Sequence, residues 1–360
     1  MTPGRPVRRR DPTARYQGGP SRTTTVHPPP AGPSPADTTD SHRPTHHGDQ
    51  QKEQAIRAVR FHHYGDVDVL DVEDVEPRAL GPHEVRVEVR AAGINPGEAK
   101  IRTGALHAFL PATFPSGQGS DLAGTVVETG TDVTRWQPGD QVLGWSWERS
   151  SHAEYVAVPE GQLVAKPADL SWQVAGALYV SGCTAHAAVA AVAPGPGETV
   201  VITAASGGVG SIAVQLVRRT GARPVAVASP RHQEWLEARG ATFVSYGEGV
   251  EGRIGEAVGG TAPEAFLDFY GGDYVRLALD LGVAPARINT IDYAAAEAHG
   301  TRSDASAEGT RPEVLAELAL LAATGAIEVP VSAVYPLEDV RQAFQQLEHG
   351  HPLGKIVLAP

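Results

Sequence analysis

The residues best suited to grip a phosphate stand together at Ala204-Ala205-Ser206-Gly207-Gly208-Val209-Gly210. Set against the dinucleotide fingerprint G-x-G-x-x-G, Ala205 takes the first position, with Gly207 and Gly210 in the second and third. Gly207 leaves room for the backbone to approach a pyrophosphate, and Gly210 lets the following helix pack close on the preceding strand. N–H groups at the helix start, with the positive end of its dipole, then face the anion. Further on, the chain reads Val227-Ala228-Ser229-Pro230-Arg231-His232 at the end of a second strand. A site for NAD places Asp or Glu there to bind the ribose 2′-hydroxyl. Ser229 can instead donate a hydrogen bond, and Arg231 a charge-assisted pair, to a 2′-phosphate. NADPH is therefore the expected coenzyme, with a helix-surface arginine as the alternative reading of Arg231.

Other reactive side chains give weaker signals. Cys183 is the only cysteine, so neither an internal disulfide nor a structural zinc lobe can be built. Its one evident basic neighbour is His186, three residues on; a small buried residue is expected rather than a nucleophile. His62 and His63 follow the first strand and read as surface residues. His42, His46 and His47 lie in residues 1–54 with Arg8-Arg9-Arg10 and Pro28-Pro29-Pro30. That stretch has almost no aliphatic side chains to bury, so a disordered tail is expected, functional or a start-site artefact. No metal site is expected.

The elements that must position the turn alternate in type. Glu84-Val85-Arg86-Val87-Glu88-Val89-Arg90 alternates strictly, with valines on one face and charges on the other. Short strands with frequent turns run from about Ala55 to residue 170, as expected of a compact β-rich domain. From Ser171 onward, strand and helix signals alternate: strand 199–203, helix 208–220 and strand 223–229, then shorter units to residue 291. Val209, Ile212, Ala213, Leu216 and Val217 make one apolar stripe on that helix. A helix beyond residue 312, a strand over 327–334, a helix over 337–349 and the strand Gly354-Lys355-Ile356-Val357-Leu358 close the chain.

The 360 residues suffice for two domains, and 41% are hydrophobic, so most of the chain should fold. A net charge of −12 argues against general nucleic-acid affinity. No stretch approaches the roughly 20 apolar residues that cross a bilayer. A cytoplasmic protein with no membrane partner is expected.

Several motifs in fixed order carry a resemblance. They are Ala91-Ala92-Gly93-Ile94-Asn95-Pro96, Gly119-Ser120-Asp121-Leu122-Ala123-Gly124, Gly182-Cys183-Thr184-Ala185, the 204–210 turn and the closing Gly354–Leu358 stretch. From about residue 56 the chain resembles the medium-chain dehydrogenase/reductase superfamily, in its zinc-independent quinone oxidoreductase branch, which includes zeta-crystallin. The resemblance implies an α/β fold. A GroES-like β-rich catalytic domain would come from residues 55–180 and 312–360, and a Rossmann domain with a doubly wound parallel sheet from 181–311. Zinc-dependent relatives carry Gly-His-Glu where this chain has Gly119-Ser120-Asp121, so zinc is not expected.

Asn95 is implied to line the cleft near the nicotinamide. Lys100 stands where many of these reductases have tyrosine; it either bonds a carbonyl oxygen as charge develops there or is a solvated loop lysine. Thr184 is implied to contact the nicotinamide amide, against a plain helix-start threonine. Tyr246 matches a position beside the adenosine phosphate, against an edge-of-core tyrosine. Arg102 reads as structural or phosphate-facing. Residues 281–290 depart from the Gly-Gly-rich turn usual in the family.

The expected activity is hydride transfer from NADPH to an electrophilic small molecule, a quinone or an α,β-unsaturated carbonyl, without zinc. An enoyl-thioester reductase and a low-turnover NADPH-binding sensor or structural protein are the alternatives. Relatives pair through the Rossmann domain, which makes a homodimer the implied assembly.

Overall fold

Valine-rich alternation drives the first large sheet. Val85, Val87 and Val89 are buried on one face of the strand Glu84–Gly93. Arg86, expected to be solvated, is buried as well; its guanidinium donates to Glu128 Oε2 at 2.7 Å and to the Arg78 carbonyl at 3.0 Å. Pairing rather than exposure makes that charge tolerable. The computed structural model describes residues 55–360. The readings made for residues 1–54 (tail disorder, Arg8–Arg10, His42, His46 and His47) lie outside the described residues.

Strand Glu84–Gly93 is central to a seven-stranded sheet. On one side follow Asp121–Thr129, Gln141–Trp145 and Leu163–Ala165; on the other, Lys355–Ala359 and Val331–Pro336. Tyr155–Pro159 also pairs with it. Strands from both ends of the described chain therefore share one sheet, as the GroES-like arrangement requires. A three-stranded sheet of Asp71–Val75, Ile56–Phe61 and Ser116–Gly117 lies beside it in sequence.

The second large sheet is parallel, in the order Thr242–Ser245, Arg223–Ala228, Thr199–Ile202, Ala265–Asp268 and Ile288–Thr290. The strand order reverses direction at Thr199–Ile202, and ligands of such sheets bind beyond the carboxyl ends of strands at that point. The helix Gly208–Arg219 leaves there and buries Ile212, Ala213, Leu216 and Val217, the stripe read from its spacing. A segment at Arg302 bridges the outer edge of Ile288–Thr290: Arg302 N donates to the Ile288 carbonyl and Thr290 N to the Arg302 carbonyl, each at 3.0 Å.

One strand boundary differs from the sequence reading. The strand expected over 327–334 begins only at Val331, because Pro330 lacks an N–H for the ladder. Ile327 and Val329 are buried all the same, in the loop ahead of it. The helix Pro312–Ala323 places Val314, Leu315, Leu318 and Ala319 in the same apolar core as Ile202, Ile212 and Leu267 of the parallel sheet. That core continues to Leu143, Trp145 and Val164 of the large antiparallel sheet, so one buried surface joins the two halves.

Candidate functional site

The turn 204–210 leaves the central parallel strand through Ala204, at φ +45°, and enters the helix at its N-cap, Gly207. Gly207 has no side chain with which to cap the helix, so the first-turn N–H groups stay available to an external acceptor. The glycines do different work. A Cβ on Gly210 would meet the Ala204 carbonyl oxygen at 2.2 Å and Ala205 Cα at 2.7 Å, both backbone. On Gly207 it would meet only the Ala204 oxygen, at 3.3 Å. Gly210 thus permits helix–strand contact, whereas Gly207 keeps the mouth of the cradle clear. Ala205 and Ser206 are buried, while Gly207, Gly208 and Val209 are half-exposed. These features fit a dinucleotide phosphate.

Beside the cradle, the carboxyl ends of neighbouring strands bring Ser229, Arg231 and Tyr246 to one edge. Ala228 stands in register with Ser245, and Tyr246 N donates to the Ala228 carbonyl at 3.3 Å. The tyrosine ring is 48% exposed, a free face rather than a core edge. Arg231 is exposed, its only hydrogen bond among the described residues a 3.3 Å contact to the Gly350 carbonyl. His232 reaches the other way, its Nδ1 2.9 Å from Ser206 Oγ. Partial burial, then Arg231 and His351, hold that imidazole's pKa below its usual value.

The last strand locks the cradle to the other half. Gly354 N donates to the Ser206 carbonyl at 2.8 Å, and the Lys355 stem passes so close to Gly208 that a Cβ there would meet its Cδ at 2.8 Å. The buried Lys355 ammonium donates to the Ile94 carbonyl at 3.1 Å, to Asp121 Oδ2 at 3.1 Å and to Asn95 Oδ1. Asn95 Nδ2 donates to Asp121 Oδ2 at 3.0 Å and to Glu98 Oε1 at 3.3 Å. Asp121 Oδ1 accepts from Val180 N, at the start of the helix Tyr179–Val192, at 2.7 Å. Glu98 accepts from the backbone N–H of Asn95 and of Ser120. One buried network therefore ties a helix start, two strands and a loop together behind the cradle.

The expected residues fall into distinct settings. Asn95 is buried and its carboxamide is committed to this network on both sides. Lys100 is exposed near the end of the short helix Pro96–Arg102, and its ammonium bonds to no described residue. Thr184 is buried in the helix Tyr179–Val192, with its hydroxyl bonded to no described residue. Arg102 is structural: wholly buried, it donates to Glu348 at 2.9 Å and lies over the Phe344 ring. Cys183 is buried, and desolvation followed by the nearby Asp121 charge pushes its thiol up to about 12, which keeps it protonated. Tyr179 stacks on Trp145 and bonds the Thr310 hydroxyl at 2.9 Å; burial raises its pKa. Sequence reading passed over Lys355 and His232, although each was in plain view: one in a chain nearly without lysine, the other one residue past Arg231.

Comparison with known proteins follows this layout. Residues 81–168 match the alcohol dehydrogenase GroES-like domain, and residues 246–358 match the family described as zinc-binding dehydrogenase. The chain is 28% identical to the quinone oxidoreductase of Pseudomonas aeruginosa over 84% of its own length and 99% of that protein's. It is 30% identical to the mitochondrial NAD(P)H oxidoreductase RTN4IP1 of Mus musculus, over 77% of its length and 82% of that protein's. The Escherichia coli quinone oxidoreductase, solved in complex with NADPH, superposes with a TM-score of 0.75 at 26% identity, over 84% of this chain and all of that one. The chain belongs to the medium-chain dehydrogenase/reductase superfamily. Within it, the chain is a quinone oxidoreductase-like member and an oxidoreductase.

The description of one of these families names zinc. Ser120 stands beside Asp121, both carboxylate oxygens of Asp121 are engaged, and among the described residues no group of three or more His, Cys, Asp or Glu is placed to hold a metal ion. Among the same residues no helix is long and apolar enough to cross a membrane.

Proposed function

We propose that this oxidoreductase uses NADPH to reduce a quinone or an α,β-unsaturated carbonyl by direct hydride delivery, without zinc. The observation that carries the reading is the end of the second parallel strand, where Ser229 and Arg231 follow the last paired residue and no Asp or Glu comes before Glu234. A bound NADPH would supply the hydride; the chain supplies position and charge.

On this reading each residue has a task. Gly207 and the helix start receive the pyrophosphate. Ser229, Arg231 and the exposed Tyr246 receive the adenosine end. The Thr184 hydroxyl is free to meet the nicotinamide carboxamide. Asn95, its amide already committed, shapes the cleft wall and positions the loop ahead of Lys100. Lys100, with an unengaged ammonium, is the donor available to an acceptor oxygen as negative charge develops. The accompanying proton comes from water or a weak acid.

Replacing Arg231 with alanine tests the coenzyme. The Michaelis constant for NADPH should rise about tenfold, the size of one lost charge-assisted contact, while that for NADH stays put. Equal effects on both would sink the NADPH preference. Single-turnover mixing with a panel of quinones and enones tests the acceptor; rapid oxidation of bound coenzyme by neither class overturns it.

A further inference from the structure

His232 is the side chain that links the exit of the second strand to the glycine turn. Ser206, its partner, is buried and pinned through its carbonyl by Gly354 N, so the hydroxyl cannot drift from the cradle. The other ring nitrogen, Nε2, bonds to no described residue, and no carboxylate among them pairs with the ring. The charged and titratable groups acting on it are Arg231 on its own turn and His351 from the segment before the last strand. Neither supplies a negative charge. An imidazole set among such groups, beside helix N–H groups with no internal acceptor, lacks an anion.

We propose that protonated His232 is a direct ligand of a coenzyme phosphate and, through Ser206, makes coenzyme affinity rise as pH falls. The proposal rests on the coenzyme reading above and names a ligand in addition to Arg231. Its logic is that of donors. With Nδ1 bare, the Ser206 hydroxyl spends its proton on the ring. With both nitrogens protonated, Nδ1–H donates to Ser206 Oγ, and the serine proton is free to turn toward a phosphate oxygen. Nε2–H, already a donor in the neutral ring, becomes a charge-assisted one. One proton thus supplies a charge and frees one further donor, the serine hydroxyl, for the coenzyme. The bound phosphate in turn raises the imidazole pKa, so a proton is taken up on binding. The gain is present below the pKa of the complex and lost as pH rises through it.

Calorimetric titration of the whole chain with NADP⁺ and with NAD⁺, at about pH 6 and about pH 8.5, tests this on either side of the imidazole range. His232→Asn keeps a partner for Ser206 and removes the titration; Ser206→Ala keeps the imidazole and removes the relay. We expect His232→Asn to weaken NADP⁺ about tenfold at the lower pH and less than about threefold at the higher, with Ser206→Ala between it and the wild type. Wild-type binding near neutrality should consume a proton, seen as a heat that changes with buffer, and His232→Asn binding should not. The 2′-phosphate of the free coenzyme titrates near pH 6 itself, identically in both titrations, so that part cancels from the ratio. A pH-dependent ratio with NADP⁺ alone supports contact with the 2′-phosphate; the same ratio with NAD⁺ supports contact with the pyrophosphate. A ratio that does not change with pH for either coenzyme, with equal proton uptake, overturns the His232 proposal and leaves the coenzyme reading standing. Failure of the wild type to bind either nucleotide overturns that reading first.

Discussion

Removing the Lys355 ammonium would strand the Asp121 carboxylate, because both groups are buried and, among the described residues, each is the other's only opposite charge within bonding distance. Breaking a buried pair by deleting one member costs about 3 to 5 kcal/mol, mainly from the charge left behind. Lys355→Met should lower stability by about that amount in denaturant melts, and a second change, Asp121→Asn, should recover part of it. An unchanged midpoint in the single variant would mean that the network is not held by charge. The consequence is positional: Lys355 also holds Asn95, so a loosened network frees the Asn95 side chain.

At the scale of the element, the glycine turn separates folding from binding. Gly210→Ala drives a methyl group into backbone atoms at 2.2 and 2.7 Å, and only a shift of the helix Gly208–Arg219 relieves it. Gly207→Ala meets one oxygen at 3.3 Å and otherwise fills the space a phosphate needs. Gly210→Ala should therefore lower the thermal midpoint by several degrees, at the cost of about 1 to 3 kcal/mol expected for overpacking. Gly207→Ala should keep the wild-type midpoint and lose coenzyme affinity in a fluorescence titration. Equal midpoints for the two variants would argue against this division. The helix itself was legible from its 3.6-residue stripe, and so was the strand before it. The strand expected at 327 was not, because Ile327 and Val329 look like strand residues and only Pro330 denies them a ladder.

For the whole molecule, acid should act on both halves together. Glu84 lies below its ordinary pKa of 4.5, chiefly through the hydrogen bond from Arg78. Glu198 is lowered first by the Gly195 backbone N–H and then by Arg287. At Glu154 burial raises the pKa, but the backbone N–H and guanidinium of Arg57 outweigh it. A carboxyl depressed in the folded state stabilises above its unfolded pKa, and that contribution is lost as pH falls through the folded value. The thermal midpoint should thus fall steeply below about pH 4.5, less so in Glu84→Gln, after only the smaller decline that the lowered imidazole pKa of His232 brings below about pH 6.5. A midpoint that holds to about pH 3 would refute it. Since one apolar core spans the two halves, a single cooperative transition is expected rather than two.

The sequence by itself determined what short-range physics decides. Alternating valines made a strand, a 3.6-residue stripe made a helix, and glycines at set intervals made a tight strand-to-helix turn, because periodicity and backbone sterics act between near neighbours. It also carried the superfamily, through motifs kept in order along the chain. Tertiary structure decided which distant groups meet. Lys355 finds Asp121 across 234 residues, Asp121 caps a helix 59 residues on, and His232 turns back 26 residues to Ser206. No local spacing encodes those meetings. They follow from where two sheets set the ends of their strands, and they turn a recognisable glycine turn into a site with a fixed wall and a titratable neighbour.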